Sequence, residues 1–319
     1  MTVSFLIAVA VLIGIVLFLF QQVRRPNRGR SPWPKRIRIV LVGLLLLMAG
    51  LVFWGFFIEP NRLIVRHETI QIAEWPGQFN NLRIAALSDI HAGGEFIDQQ
   101  KLRTIVERTN ALQPELIAIM GDFIAGDGRR HPLRMTPEEF GPILKELRAP
   151  LGVYAVLGNH DWWYDGRHVR RALEQNGIKV LDDEWVKVET RGTSLYLVGL
   201  ADLWTRPQRI LTTIDQVPRD GPIIALTHNP DIFPRLPNHV PLLLAGHTHG
   251  AQVRLPFIGY VVEPSRMTGE RYARGHVYEN GRHLFVTTGI GTSIVPVRFG
   301  VTPEIVLLTV KSQKTTERS

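Results

Sequence analysis

Five short segments bring Asp, Asn and His together with glycine. They are Asp89-Ile90-His91, Gly121-Asp122, Gly158-Asn159-His160-Asp161, Thr227-His228-Asn229-Pro230 and Gly246-His247-Thr248-His249-Gly250. Their side chains offer only oxygen and imidazole donors. The chain has no cysteine, so thiolate metal sites, disulfides and a cysteine nucleophile are excluded. Such a donor set suits Mn, Fe, Zn, Ni or Co without choosing among them. On an extended segment, residues i and i+2 point to the same side. On that geometry Asp89 with His91, and His247 with His249, each bracket a site. The glycines at 121, 158, 246 and 250 permit tight turns and close backbone approach. The donors exceed what one ion takes and suit two ions sharing a carboxylate. Two metals about 3.5–4 Å apart polarise a phosphoryl group and lower the pKa of a bridging water.

The elements that must position these residues are legible beside them. An apolar run ends at each segment: 82–87, 115–120, 153–157, 223–226 and 242–245. Runs of this length, bounded by Gly or Pro, suit strands buried on both faces. Further strands are predicted at 63–72, 185–189, 195–200, 283–287 and 305–310. Helices are predicted at 102–112, at 137–147 with a Pro-led start, and at 167–175. Strands alternating with helices indicate a layered α/β fold. Ligands of open α/β sheets bind at the carboxyl ends of the strands. Five polar turns at five strand ends would converge on one rim.

The ordered pattern D-x-H, G-D, G-N-H-D, H and G-H-x-H over residues 82–250 resembles the calcineurin-like metallophosphoesterases. The flanks His228-Asn229-Pro230-Asp231, GHTHGAQ and Gly289-Ile290-Gly291-Thr292-Ser293, with Pro296 and Arg298 beyond, resemble the YaeI/YkuE-type branch of membrane-associated phosphodiesterases. That branch often has Gly-Gly-Gln after the last His; here Ala251 replaces the second Gly and Gly250 is kept. The resemblance implies a four-layer α/β/β/α sandwich and a binuclear site of two divalent metal ions. It assigns Asp89, His91 and His249 to the first metal, and Asn159, His228 and His247 to the second. Asp122 would bridge both. His160 would contact the phosphate and protonate the leaving oxygen, with Asp161 behind it holding the ring. The reaction so implied is attack of a hydroxide held between the metals on phosphorus, cleaving a phosphodiester or pyrophosphate. Histidines 67, 131, 168, 239, 276 and 283 read as surface groups or caps. Trp162, Trp163 and Tyr164 read either as core or as an apolar lip that grips substrate or lipid. Trp204 reads as core, and Gly289–Gly291 as a loop beside the site.

Charge and hydropathy divide the chain. The formal net charge is +8, with 37 Lys+Arg against 29 Asp+Glu. Residues 3–20 and 39–58 are apolar runs free of charge, long enough for two spanning helices. Between them Arg24, Arg25, Arg28, Arg30, Lys35, Arg36 and Arg38 stand without an acid, so this loop accounts for all but one unit of the net charge. Such a loop marks the cytoplasmic side. The expected plan is an anchor over 1–58, comprising spans 3–20 and 39–58 and loop 21–38. A phosphoesterase domain follows over 59–319, on the outer face of the cell membrane. The near-neutral balance of that domain argues against nucleic acid as a partner. The expected partners are membrane lipid and a phosphate ester, and the tether would suit a lipid-linked one. A nuclease or cyclic-nucleotide phosphodiesterase is the alternative enzyme. A non-catalytic receptor or scaffold on the same fold is the alternative of another class.

Overall fold

The computed structural model describes residues 35–126, 133–207, 210–262, 265, 267 and 269–313, with isolated positions between 7 and 21. Those isolated positions are helical, and Ile7, Val11, Ile13, Leu17 and Phe18 are exposed. The rest of the first predicted span, most of the basic loop and His131 lie outside the described residues.

Helix α1 (Lys35–Phe53) continues through a π-helical turn, Trp54–Ile58, and a 3-10 turn, Glu59–Asn61. Among the described residues one stretch is long and apolar enough to cross a membrane. It is Ile39–Asn61, 23 residues, within which an 18-residue window has a mean hydropathy of 2.6 and is 11% buried. The π-helical turn has a local cause. The Glu59 N–H bonds to the Trp54 carbonyl, one residue further back than an α-helix would take. Residue 60 is proline and has no N–H to give. The Gly55 carbonyl is thereby released, and it accepts from the Arg298 N–H at 2.9 Å.

Strand β1 (Ile64–Ile72) leads into β2 (Leu82–Leu87), α2 (Gln99–Ala111), β3 (Leu116–Met120), α3 (Pro137–Leu144) and β4 (Val153–Val156). The short α4 (Asn159–Tyr164) precedes α5 (Gly166–Gln175), β5 (Lys179–Val180), β6 (Glu184–Thr190) and β7 (Thr193–Gly199). Then come α6 (Ile210–Asp215), β8 (Ile223–Leu226), β9 (Leu242–Ala245) and the small hairpin β10 (Arg254–Leu255) and β11 (Gly259–Tyr260). β12 (Gly275–Glu279), β13 (Arg282–Val286) and β14 (Glu304–Ser312) complete the described chain.

One six-stranded sheet has the order β1-β14-β2-β3-β4-β5, the other β12-β13-β9-β8-β7-β6. Strand alternation builds the layers. On β2 and β3, Ala85, Leu87, Ile117 and Ile119 meet Leu102, Ile105, Phe140, Ile143, Val169 and Leu173 from α2, α3 and α5. Ile84, Ala86, Leu116, Ala118 and Met120 point the other way, onto Ile224, Leu226, Leu242 and Leu244 of the second sheet. Ile223, Ala225, Leu243 and Ala245 cover its far face together with Ile214 of α6, Ile232 and Phe233. The order is therefore helix, sheet, sheet, helix. The last layer is thin: six-residue α6 and the 3-10 turn Pro230–Arg235, neither foreseen from the sequence.

Register decides which end of the sheets holds the chemistry. β1 pairs in parallel with β14, Ile64 opposite Glu304. β14 runs antiparallel to β2, with Val306 opposite Ala86. β2, β3 and β4 are mutually parallel. Their carboxyl ends therefore lie level with the start of β1, where the chain leaves the α1 segment.

Candidate metal centre

The five motif segments follow β2, β3, β4, β8 and β9 and meet at one rim. The D-x-H and H-x-H pairs do so by a different geometry from the expected one. Asp89, His91, Asp122, His247 and His249 all have left-handed backbones, with φ of 52°, 48°, 55°, 71° and 50°. Extended pleating does not aim these side chains; consecutive turns do. The bends are held by a continued ladder beyond β2 and β3: Asp89 N–H to Gly121 O at 2.9 Å, and His91 N–H to Asp122 O at 3.0 Å. Non-glycine residues in this region cost about 1–3 kcal/mol each and cluster at functional sites. Two glycines are sterically required. A Cβ on Gly158 would lie 2.2 Å from Asp122 Oδ1, and one on Gly246 would lie 1.9 Å from Ser88 Oγ.

Asp89, His91, Asp122 and His249 place one ligand atom each within 4.8 Å of one another, all buried. The His91 and His249 Nε2 atoms face each other at 3.1 Å. His249 Nε2 is 3.3 Å from Asp89 Oδ1, a buried carboxylate oxygen that has no hydrogen-bond partner. The second group adjoins it. His228 Nε2 lies 3.2 Å from Asn159 Oδ1, 3.0 Å from His247 Nδ1 and 3.3 Å from Asp122 Oδ2. Asp122 Oδ2 is also 3.7 Å from His91 Nε2, so it belongs to both groups. Backbone carbonyls fix two of the rings: His91 Nδ1 pairs with Ile124 O at 3.0 Å, and His228 Nδ1 with Met120 O at 2.7 Å. Each leaves Nε2 facing inward, as ring ligands are usually oriented.

The donor set fits divalent cations. An orphaned carboxylate oxygen and imidazole nitrogens facing one another have no other partner to satisfy them. Burial holds His91 down to about 4. Burial and the neighbouring His228 charge hold His247 down to about 3. Burial also keeps His249 well below the usual imidazole range. These three rings are neutral at pH 7. His228 is the exception: burial pushes it down, but Asp122, Asp89 and Asp202 override that and raise it to about 10. Asp122 answers in kind; burial favours its acid form, but His228 and His160 hold it well below the usual carboxylate range. In the metal-free protein a proton on His228 therefore stands in for cationic charge.

His160 lies beside the donors, not among them. Its ring meets His91 edge-on at 4.9 Å and Trp163 at 4.8 Å. Nδ1 pairs with Gly126 O at 3.1 Å, and Nε2 with Ser293 Oγ at 3.2 Å. Asp161 does not hold that ring, contrary to the sequence-based expectation. Its carboxylate turns away and accepts four backbone N–H groups. Oδ2 takes Asp122 and Gly158, both at 2.9 Å. Oδ1 takes Phe123 at 2.9 Å and Ile124 at 3.2 Å. Asp161 thus ties the Asp122 turn to the start of α4.

Several neighbours had no site role in the sequence reading. Trp204, expected in the core, is 46% exposed and sets its ring edge-on to His247 at 4.4 Å. Asp202 is fully buried after β7 and accepts from Trp204 N, Thr205 N and Thr205 Oγ1. It follows the rule of an acid directly after an apolar strand, which could have found it. Gln252 brackets Ser293, accepting its N–H at 2.7 Å and donating to its carbonyl at 3.0 Å. Arg298, fully buried, donates from Nε to Gly291 O at 3.1 Å and from Nη2 to Thr288 O at 2.9 Å, with His249 Nδ1 at 3.4 Å. The aromatic trio divides. Trp162 and Tyr164 pack on the core, and Trp163 is 41% exposed against His160. The other described histidines stay away from the site. His283 is buried against His276, not on the surface as expected.

Comparison with known proteins identifies the family. The family model for calcineurin-like phosphoesterases matches residues 82–251. The uncharacterized metallophosphoesterase YkoQ of Bacillus subtilis is 30% identical over 273 residues, covering 82% of this chain and 97% of that protein. Phosphodiesterase YaeI of Escherichia coli is 27% identical, covering 79% and 90%. UDP-2,3-diacylglucosamine pyrophosphatase LpxG of Chlamydia trachomatis is 25% identical, covering 80% and 91%. The matched span begins at β2 and ends just after His249, and so contains every donor of the rim; the chain belongs to the calcineurin-like phosphoesterase family.

Proposed function

We propose that the protein is a membrane-anchored hydrolase of phosphodiester or pyrophosphate bonds, with two divalent cations at the rim. One observation carries this reading: Asp122 Oδ2 is shared between two donor groups, at 3.7 Å from His91 Nε2 and 3.3 Å from His228 Nε2. Asp89, His91 and His249 would hold one cation, Asn159, His228 and His247 the other, with Asp122 common to both. Bound there, the cations would supply Lewis acidity toward phosphoryl oxygen and lower the pKa of a water. The protein supplies the rest. Asp161 fixes the Asp122 turn through four N–H groups. Gly126 O accepts a hydrogen bond from His160 Nδ1, which turns Nε2 toward Ser293 Oγ; a proton carried on Nε2 would pass from there to the leaving oxygen. Trp163 and Trp204 flank the rim and narrow the approach to it.

The segment Ile39–Asn61, with residues 3–20 before it, supports anchoring in a cell membrane. The basic loop 21–38 supports an outer-face position for the phosphoesterase domain, 59–319. Diester or pyrophosphate preference draws on the relatives named phosphodiesterase and pyrophosphatase. A lipid-linked substrate draws on the tether and on the diacylated substrate in the name of LpxG.

The test is to purify the full chain, quantify bound metal, and assay a chromogenic phosphodiester with wild type and His160→Gln. The expected result is turnover in the wild type and a loss of about 10²–10⁴-fold in the variant at equal metal content. Full metal content without turnover in the wild type, across several metals and esters, would instead favour a non-catalytic scaffold. Equal turnover in both proteins would remove the role given to His160.

A further inference from the structure

We propose that the mouth of the site is built to rest in the lipid surface, through an apolar lip joined to the end of the membrane segment. The inference rests on reading Ile39–Asn61 as a span. Three independent observations lead to it.

Topology comes first. The donor rim lies at the carboxyl ends of β2, β3 and β4, level with Ile64, just after the α1 segment ends. The site therefore sits at the membrane-proximal end of the sheets, and Ile72 and Ala73 at the distal end.

Second, the end of the segment is bonded into the loop that borders the site. The released Gly55 carbonyl accepts from Arg298 N–H at 2.9 Å. Glu59 is buried; its Oε2 accepts from Gly300 N–H at 2.9 Å and its Oε1 from Thr302 Oγ1 at 3.2 Å. Trp54 Nε1 donates to the same carboxylate at 2.9 Å, and the Arg62 guanidinium lies over the Trp54 ring at 5.4 Å. A half-exposed Trp with an Arg beside it is the composition of a membrane interface.

Third, this loop and the hairpin beside it carry exposed apolar side chains. Ile294, next to Ser293, is 92% exposed; Phe257 is fully exposed and Ile258 is 75% exposed. Val261 and Val262 are exposed beside them. The hairpin bearing Phe257 and Ile258 is tied to the anchored loop by Arg254 N–H to Phe299 O at 2.7 Å and Phe299 N–H to Gln252 O at 2.9 Å. Ile294 has φ of 64°, a conformation that disfavours a β-branched residue, and no internal packing offsets it. Lipid is the one apolar phase that the adjoining segment already supplies. The lip commits the opening to a phosphate group presented at the bilayer surface.

The chain lacks cysteine, so single probes are clean. Ile258→Cys, Leu47→Cys and Ala73→Cys are each labelled with bimane in the full chain, reconstituted in phosphatidylcholine/phosphatidylglycerol vesicles carrying doxyl-lipid quencher. The proposal expects quenching at 258 and 47 and none at 73. Quenching at 47 with none at 258 would overturn the docking alone. No quenching at 47 would overturn the span and the docking with it. A second arm uses F257S/I258S. The expected result is at least about tenfold slower cleavage of a phospholipid diester in vesicles, with unchanged cleavage of a soluble chromogenic diester. Equal loss on both esters would make the lip an element of the fold and overturn its docking role. Quenching at 258 in the labelled variant, with a wild type that cleaves only soluble esters, would overturn the lipid-linked substrate and leave the docking standing.

Discussion

Replacing Asp161 by Asn separates two roles that the motif Asn159-His160-Asp161 leaves open. The carboxylate accepts Asp122 and Gly158 N–H on Oδ2, and Phe123 and Ile124 N–H on Oδ1. An amide keeps one acceptor oxygen and presents NH2 to the other pair. Two buried N–H groups then lose their partner, at about 1–3 kcal/mol each, so roughly 4 kcal/mol of stability is lost above about pH 7, where the wild-type carboxylate is ionised. For a domain of this size that lowers Tm by roughly 10 °C. The Asp122 turn also loses its tie, so metal affinity falls with stability. Burial and the Asp122 charge push the Asp161 carboxyl up to about 7, while the Gly158 and Ile124 N–H groups oppose them. The Asn variant is expected to lose the stability change that this group gives the wild type between its ordinary 3.8 and about 7. Its sign is set by the raised value: the folded state binds the proton more tightly, and the contribution is lost as pH rises through about 7. The assay is thermal unfolding of the metal-free full chain across pH 4–8, with calorimetric metal titration. A variant of unchanged Tm and metal affinity, with only kcat reduced, would refute this reasoning and return Asp161 to orienting His160.

Further outcomes follow for His228 and Glu59. His228, raised to about 10 in the metal-free protein, must lose its Nε2 proton to bind a cation. Metal binding at pH 7 should release about one proton, and affinity should rise about tenfold per pH unit toward pH 10, read by calorimetry in buffers of different ionisation enthalpy. Without metal, the stability that this group contributes is fully present below its ordinary 6.5 and is lost as pH rises through about 10. Glu59→Gln weakens the bonds from Gly300, Thr302 and Trp54. The expected loss is about 1–3 kcal/mol, with faster proteolysis of the loop 293–302 and an unaltered donor set; an unchanged cleavage rate would show that the end of the α1 segment does not brace the loop.

The sequence by itself determined the rim. Apolar runs buried on both faces have few alternatives to central strands, and 82–87, 223–226 and 242–245 match the observed strands residue for residue. The donors could be named because each stands directly after such a run. Local pattern could not supply what arises from contacts distant in sequence. The left-handed turns at Asp89 and His249 are held by the neighbouring strand, so extended i, i+2 geometry was the wrong inference. Asp161 turns to N–H groups of residues 122–124, a choice made only when β3 and β4 lie side by side. Trp204 reads as core by type, yet tertiary packing leaves it open against His247. The thin outer layer of α6 and Pro230–Arg235 lacks enough periodicity to stand out. Glu59 and Arg298 became a joint only when β14 was inserted between β1 and β2. That strand begins level with the start of β1, so the loop before it, residues 298–302, meets Gly55 and Glu59 at the edge of the site.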